Sequence, residues 1–208
     1  MKRLFIFVVL GVVALGAAAD RFYIEDFAIA PGETRTVSIL LDNETAYTAF
    51  QCDLQLPDGL SVNEESFALT SRKSNNHTLT AGEFPGGVYR LMSYSLNLKN
   101  YSGSSGALVT FDLTASNDFS GPVTLTISNT VFTTEAGVEA SFEDEESLVC
   151  LVGDVNLDGR VNISDVTALI NMLLTSNVTS PAANVNGDDK VSISDVTALI
   201  NMLLTKAS

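Results

Sequence analysis

The thirteen residues ISDVTALINMLLT occur twice in this 208-residue chain, at 163–175 and again at 193–205. Identity over that length does not arise by chance, so the C-terminal part is a duplicated unit with a period of 30 residues. Val166, Leu169, Ile170, Leu173 and Leu174 fall at i, i+3, i+4, i+7 and i+8, and Val196, Leu199, Ile200, Leu203 and Leu204 repeat them. That spacing is one apolar stripe of an amphipathic helix. It predicts two short helices packed antiparallel, with most of each stripe in a shared core.

Upstream of each helix lies a loop in which oxygen-bearing side chains alternate, GDVNLDGRVN in the first copy and ANVNGDDKVS in the second. Calcium takes about six to eight oxygen ligands, and loop positions 1, 3, 5, 7, 9 and 12 wrap donors around one point. The first loop supplies Asp154, Asn156, Asp158, the Arg160 backbone carbonyl, Asn162 and Asp165, with Gly159 permitting the turn at position 6. The second supplies Asn184, Asn186, Asp188, the Lys190 carbonyl, Ser192 and Asp195, with Asp189 in place of that glycine. Two calcium ions are expected. Three carboxylates serve the first loop (Asp154, Asp158, Asp165) and two the second (Asp188, Asp195), so the second site is expected to bind more weakly. Residues 151–208 hold little apolar material for a core, so the metal is expected to contribute to folding.

The paired units, D-x-N-x-D-G followed by V-N-I-S-D-V-T-A-L-I-N, resemble a type I dockerin, with two loop–helix calcium repeats of the F-hand kind and no entering helix. The resemblance implies a module that docks onto cohesin domains through loop positions 10 and 11 and the helix that follows. On this chain those positions are Ile163, Ser164, Ile170 and Asn171, and in the second copy Ile193, Ser194, Ile200 and Asn201. The common family pattern has Ser-Thr at positions 10 and 11 and basic residues on the helix. This chain has Ile-Ser and Ile-Asn, which implies a different, more apolar partner contact. Because both copies present the same residues, the resemblance also implies binding in two orientations.

Residues 20–150 have another texture. Short alternating runs at 36–41, 50–56, 88–94, 107–113, 123–127 and 138–142 are separated by turns rich in Gly, Pro and Ser. About seven to nine such strands predict an antiparallel sandwich, a jelly roll among the options. The runs APGETRTVSILLDN, AFQCDLQLPDGLSV and GALVTFDLTAS are similar to cohesins and to carbohydrate-binding modules of that sandwich type. The expected architecture is therefore multidomain: a cohesin-like β-sandwich at 20–150 and a small all-α calcium-binding dockerin at 151–208.

Lys2 and Arg3 precede an apolar run at 4–15 and the small residues Gly16, Ala17, Ala18 and Ala19. These are the marks of a cleavable leader at 1–19, and they predict a secreted or cell-surface protein with no membrane insertion after cleavage. Twenty-five acidic and eleven basic side chains give a net charge of −14, which disfavours nucleic acid as a partner. The catalytic inventory is poor. His77 is the sole histidine and sits in a polar run read as a solvated loop, so neither a multi-His zinc site nor a His-based catalytic centre is available. Glu64-Glu65 and the acidic run at 143–146 read as solvated surface rather than a glycosidase pair. With no Trp, only Tyr47, Tyr89, Tyr94 and Tyr101 offer stacking for a sugar. Export permits a Cys52–Cys150 disulfide, while the apolar phase of Cys52 equally suits a buried thiol.

Only Leu151, Val152 and Gly153 separate Cys150 from Asp154, so the two modules are expected to touch. The composite reading is a non-catalytic assembly protein. Its calcium-loaded dockerin binds a cohesin-bearing protein in a cellulosome-like complex, and its sandwich takes a second protein. The alternative is a carbohydrate-binding accessory module whose sandwich holds polysaccharide.

Overall fold

The computed structural model describes residues 20–188 and 190–206. The leader assigned to 1–19 and the glycine replacement at Asp189 lie outside the described residues. The strands are β1 (Arg21–Tyr23), β2 (Phe27–Ile29), β3 (Thr34–Asp42), β4 (Ala49–Gln55), β5 (Leu60–Val62), β6 (Ala68–Leu69), β7 (His77–Phe84), β8 (Val88–Ser95), β9 (Ala107–Ala115), β10 (Val123–Thr133), β11 (Glu139–Ser141) and β12 (Glu145–Leu151). Helices α1 (Ile163–Thr175) and α2 (Ile193–Lys206) follow.

The strands form two facing sheets. One has the order β1-β3-β9-β5 with β6 also on β9; the other runs β2-β12-β10-β4-β8-β7 with β11 also on β10. Pairing is antiparallel except for β2 beside β12, where Phe27, Ala28 and Ile29 face Val149, Cys150 and Leu151 in parallel. Alternation sets the core. Val37, Ile39 and Leu41 of β3 and Phe111, Leu113 and Ala115 of β9 point inward to meet Phe50, Cys52 and Leu54 of β4. Phe22, Phe50 and Phe132 gather with ring centroids 5.2 to 5.3 Å apart, and Tyr47 lies 5.0 Å from Phe132. Such tilted and edge contacts suit the ring quadrupole.

The run expected at 123–127 extends to Thr133, because the alternation changes phase within it. Leu125 and Ile127 face the core, and then Phe132 does. A register shift against β4 between Ser128 and Val131, with Asn129 at φ 51°, supplies the extra residue. β7 and β12 were not expected as strands. The first is rich in Thr and contains Gly82, and the second begins in the acidic run at 143–146. Glu145 and Glu146 open β12, where Glu145 accepts two hydrogen bonds from Arg21.

His77 corrects the sequence reading. It is buried at the start of β7, not in a solvated loop. Its Nδ1 accepts from the Ser74 backbone N–H at 2.9 Å, and its ring stacks on Tyr101 at 4.1 Å. Burial pushes its pKa down, which favours the neutral ring. Both cysteines are buried free thiols. Cys52 lies in the sandwich core, and Cys150, pushed up to about 12 by burial, lies in a small cluster with Ala28 and Ala182.

That cluster is where the modules touch. The 3-10 turn Pro181–Ala183 brings Ala182 against Ala28 and Cys150, and the Ala182 carbonyl accepts from Gly153 N–H at 3.1 Å. Gly153 is required twice over. Its φ is +88°, and a Cβ there would stand 2.9 Å from Leu199 Cδ1 of α2. Val161 packs against both the sandwich core and the helical core. No helix among the described residues is long and apolar enough to cross a membrane.

Candidate metal centre

The helical core is small, consisting of Val155, Val166, Leu169, Ala183, Val196 and Leu199. Leu173 and Leu203 are partly buried beside it, whereas Ile170, Leu174, Ile200 and Leu204 are exposed. Only part of each stripe is therefore core, because each helix meets its partner along one narrow side and nothing among the described residues covers the rest.

The first loop is built around two fully buried carboxylates. Asp154 accepts from the backbone N–H of Asp158 at 3.0 Å and of Gly159 at 2.9 Å. Asp165 accepts from Asn156 N–H at 3.1 Å and from Asn162 N–H at 2.8 Å, so position 12 is held against positions 3 and 9. Asn162 caps α1 through its Oδ1, which takes Ser164 N–H at 2.8 Å, and Asp165 completes a capping box. Asp158 accepts from Arg160 N–H at 2.9 Å, which turns the exposed Arg160 side chain's own backbone into the loop.

The second loop repeats the plan. Asp195, also fully buried, accepts from Val185 at 2.9 Å, Asn186 at 3.2 Å and Ser192 at 2.8 Å. Ser192 Oγ takes Ser194 N–H at 3.2 Å, and Asp188 takes Lys190 N–H at 2.8 Å. Position 1 differs. Asn184 accepts from Gly187 N–H at 2.9 Å and spends its amide N–H on the Asp188 carbonyl. Two further features were not anticipated. The fourth loop position is left-handed in both copies, as Leu157 at φ 60° and Gly187 at φ 74°, so the glycine of the second loop relieves a turn that the first makes with leucine. Asn156 and Asn186 also donate to the hydroxyls of Ser164 and Ser194, at 3.2 and 3.0 Å, tying position 3 to position 11.

These donors fit a hard divalent cation. Asp154, Asp165 and Asp195 are buried, yet the ion pairs among the described residues are Arg21 with Glu145 and Arg90 with Asp53, neither in these loops. Burial pushes the Asp154 carboxyl above the ordinary carboxylate range, and the charges of Asp165 and Asp158 push the same way. A buried anionic group of this kind is relieved by a cation. No three His, Cys, Asp or Glu side chains among the described residues form a metal cluster by themselves, so amide, hydroxyl and carbonyl oxygens must complete either set. Calorimetric titration of calcium into the chelator-washed chain is expected to resolve two sites, the second about tenfold weaker or more, since a neutral amide stands at its first position. Equal affinities contradict that ordering.

The residues assigned to partner contact stand in two matching rows on α1 and α2. Ile163 and Ile193 are 70% and 71% exposed, and Ile170 and Ile200 are 38% and 40% exposed. Ser164, Asn171, Ser194 and Asn201 are exposed as well. The sandwich leaves both rows equally open.

Residues 152–205 match the family described as dockerin type I domain. No curated protein matches the chain. The sandwich is similar to the sixth cohesin of scaffoldin B from Acetivibrio cellulolyticus, solved in complex with a mutant Cel5 dockerin. Identity is 12% over 64% of this chain and 99% of that one, with a TM-score of 0.54. It is also similar to a non-cellulosomal cohesin from the hyperthermophilic archaeon Archaeoglobus fulgidus, at 12% identity over 67% and 96% of the two chains and a TM-score of 0.51. Identities this low speak for the fold alone. A cohesin-like all-β sandwich thus precedes a two-helix C-terminal region that matches the type I dockerin family.

Proposed function

We propose that this chain is a secreted, non-catalytic assembly protein. In this reading its calcium-loaded C-terminal module binds a cohesin-bearing partner within a cellulosome-like, polysaccharide-degrading complex, while the sandwich makes a second interaction. The observation that carries the reading is the pair of equivalent apolar rows on α1 and α2, which are open although the sandwich packs against the same module. Calcium would supply the charge that neutralises Asp154, Asp158 and Asp165 and draws each loop onto the helix it caps. The chain's own part is to present Ile163, Ile170 and Asn171, or their copies, at a fixed spacing on a rigid helix.

Polysaccharide binding by the sandwich has less support. Tyr47, Tyr89 and Tyr101 are buried, and Tyr101 donates to Ser93 inside the core at 2.7 Å. Of the four tyrosines considered, only Tyr94 is exposed.

Equivalence of the two rows can be tested with Ile163→Glu and Asn171→Asp in the first copy, Ile193→Glu and Asn201→Asp in the second, and all four together. Each pair alone is expected to leave cohesin affinity within about threefold, and the combination to reduce it by about a thousandfold, as for loss of the central anchors of an interface. If one pair alone abolishes binding, the two faces are not interchangeable. If the combination binds as well as the natural chain, the contact lies elsewhere.

A further inference from the structure

Asn186 and Gly187 form the one Asn-Gly pair in the sequence, and they stand at positions 3 and 4 of the second loop. A backbone nitrogen that follows an asparagine can attack the side-chain amide carbon, and glycine, with no Cβ, leaves the path of approach clear. Asparagine counts among the thermally labile residues. The first loop has Asn156-Leu157 at the same two positions. Leu157 is partly buried against the cluster of Ala28, Cys150 and Ala182, which holds that turn on the sandwich. The second loop has no such support. Asn186 and Gly187 are both exposed, and a Cβ built on Gly187 would meet nothing within 4 Å.

In the closed loop both reacting groups are occupied. Asn186 Oδ1 accepts from Asp188 N–H at 2.9 Å, and Nδ2 donates to Asp188 Oδ2 at 2.9 Å and to Ser194 Oγ at 3.0 Å. These bonds fix the amide on positions 5 and 11. The Gly187 N–H donates to Asn184 Oδ1 at 2.9 Å. Attack needs the amide turned toward Gly187 and the Gly187 nitrogen stripped of its proton, so these bonds must be given up first. Reaction of a segment that opens transiently follows the population of its open form.

We propose that Asn186 is a modification site, converted to a mixture of aspartate and isoaspartate when the second loop stands open, and that calcium in the loop suppresses the conversion. The proposal rests on the reading of 184–195 as a calcium site. In the step, the Gly187 nitrogen loses its proton to hydroxide and bonds to Asn186 Cγ. The Cγ–Nδ2 bond breaks, the leaving nitrogen takes a proton from water, and ammonia departs from a five-membered imide. Water then adds to either imide carbonyl. Breaking one C–N bond gives aspartate, and breaking the other gives isoaspartate; nothing is oxidised or reduced.

The two products act oppositely on the metal site. Aspartate raises the loop's carboxylates from two to three, the number in the first loop, and so strengthens the site. Isoaspartate routes the main chain through one extra methylene between positions 3 and 4. Asp188 and Asp195 then no longer close on the point that Asn184 and Asn186 define, and the site is lost.

Incubation of the full chain at physiological temperature and mildly alkaline pH, once in calcium and once in chelator, tests this by peptide mass mapping. Asn186 is expected to gain the mass of an amide-to-acid exchange in chelator, while Asn156 in the same digest stays intact. With calcium at a hundredfold excess over its dissociation constant the conversion is expected to be at least about tenfold slower, since that excess cuts the ligand-free population about a hundredfold. Gly187→Leu, which copies the first loop, is expected to slow the reaction in chelator by about tenfold or more. Asn186→Asp, which stands in for one product, is expected to bind calcium at the second site about tenfold more tightly than the natural chain. The comparison of buffers needs no variant, so it decides the matter whether or not Gly187→Leu folds. Equal rates in both buffers, with calorimetry showing the second site filled, overturn the proposal and leave the calcium site standing. Equal rates with that site empty overturn both. Asn186 that stays intact in chelator overturns the proposal as well.

Discussion

Chelating calcium is expected to remove most of the helical circular dichroism of this chain while its sandwich stays folded. The helical module rests on six buried apolar residues, two of them alanine or small valine contacts at the loops, which is little for a segment of this length. Against that stand buried carboxylates at Asp154, Asp165 and Asp195, and at Asp154 the charges of Asp165 and Asp158 add their repulsion to the cost of burial. Metal present at a hundredfold excess over its dissociation constant adds about 2.7 kcal/mol of stability, enough to decide whether a marginal module folds. Loss of the ellipticity near 222 nm with unchanged melting of the sandwich is the outcome to look for. Asp154→Ala is expected to reproduce most of it in the presence of calcium, since it removes the carboxylate proposed as the first ligand and leaves the Asp158 and Gly159 N–H groups without their acceptor. Magnesium, which demands a tighter octahedral set, is expected to substitute poorly. A module that keeps its helices in chelator has a core that suffices alone.

The second large effect lies in the sandwich, at Arg72. Among the described residues this buried guanidinium pairs with no carboxylate and is met by a ring of neutral oxygens. Nε donates to the Ser102 carbonyl at 2.8 Å, Nη1 to the carbonyls of Leu41 and Gly106 at 2.5 and 2.9 Å, and Nη2 to Asn43 Oδ1 and the Gly103 carbonyl at 2.7 and 3.1 Å. It therefore ties the end of β3 to the loop before β9. Arg72→Ala would remove five hydrogen bonds, among them the one to the carbonyl of buried Leu41, and is expected to cost about 3 kcal/mol and lower the sandwich melting temperature by roughly 10 °C. Arg72→Lys keeps the charge but has three donors on one atom in place of a planar fork, so it is expected to recover less than half of that. Urea denaturation followed by tyrosine fluorescence measures both. Equal stability of all three proteins would mean that water replaces the fork without loss.

Legibility in the sequence followed the physics of each part. The C-terminal module was readable because its repeat is local, a loop of alternating Asp and Asn running into an apolar-striped helix, and residues 152–205 match the type I dockerin family. The strands β3, β4, β8 and β9 were readable because one face is buried and the alternation is strict. Reading failed where local chemistry overrode alternation, as at the Asn129 bulge that inverts the phase of β10 and at the acidic opening of β12. His77 was misplaced because its burial comes from stacking on Tyr101, a contact across sequence that no local pattern encodes. The helical stripe was over-assigned to the core for a related reason: periodicity shows which side of α1 is apolar, and only tertiary packing decides that Leu169 is covered and Ile170 is not.

In the proposed function, calcium holds α1 and α2 in the form that docks. The most direct test is titration of the full chain against a panel of purified cohesin domains, once in calcium and once in chelator. At least one cohesin is expected to bind with a dissociation constant of about micromolar or tighter in calcium, with a loss of at least about a hundredfold in chelator. Binding of equal strength in both buffers would contradict it.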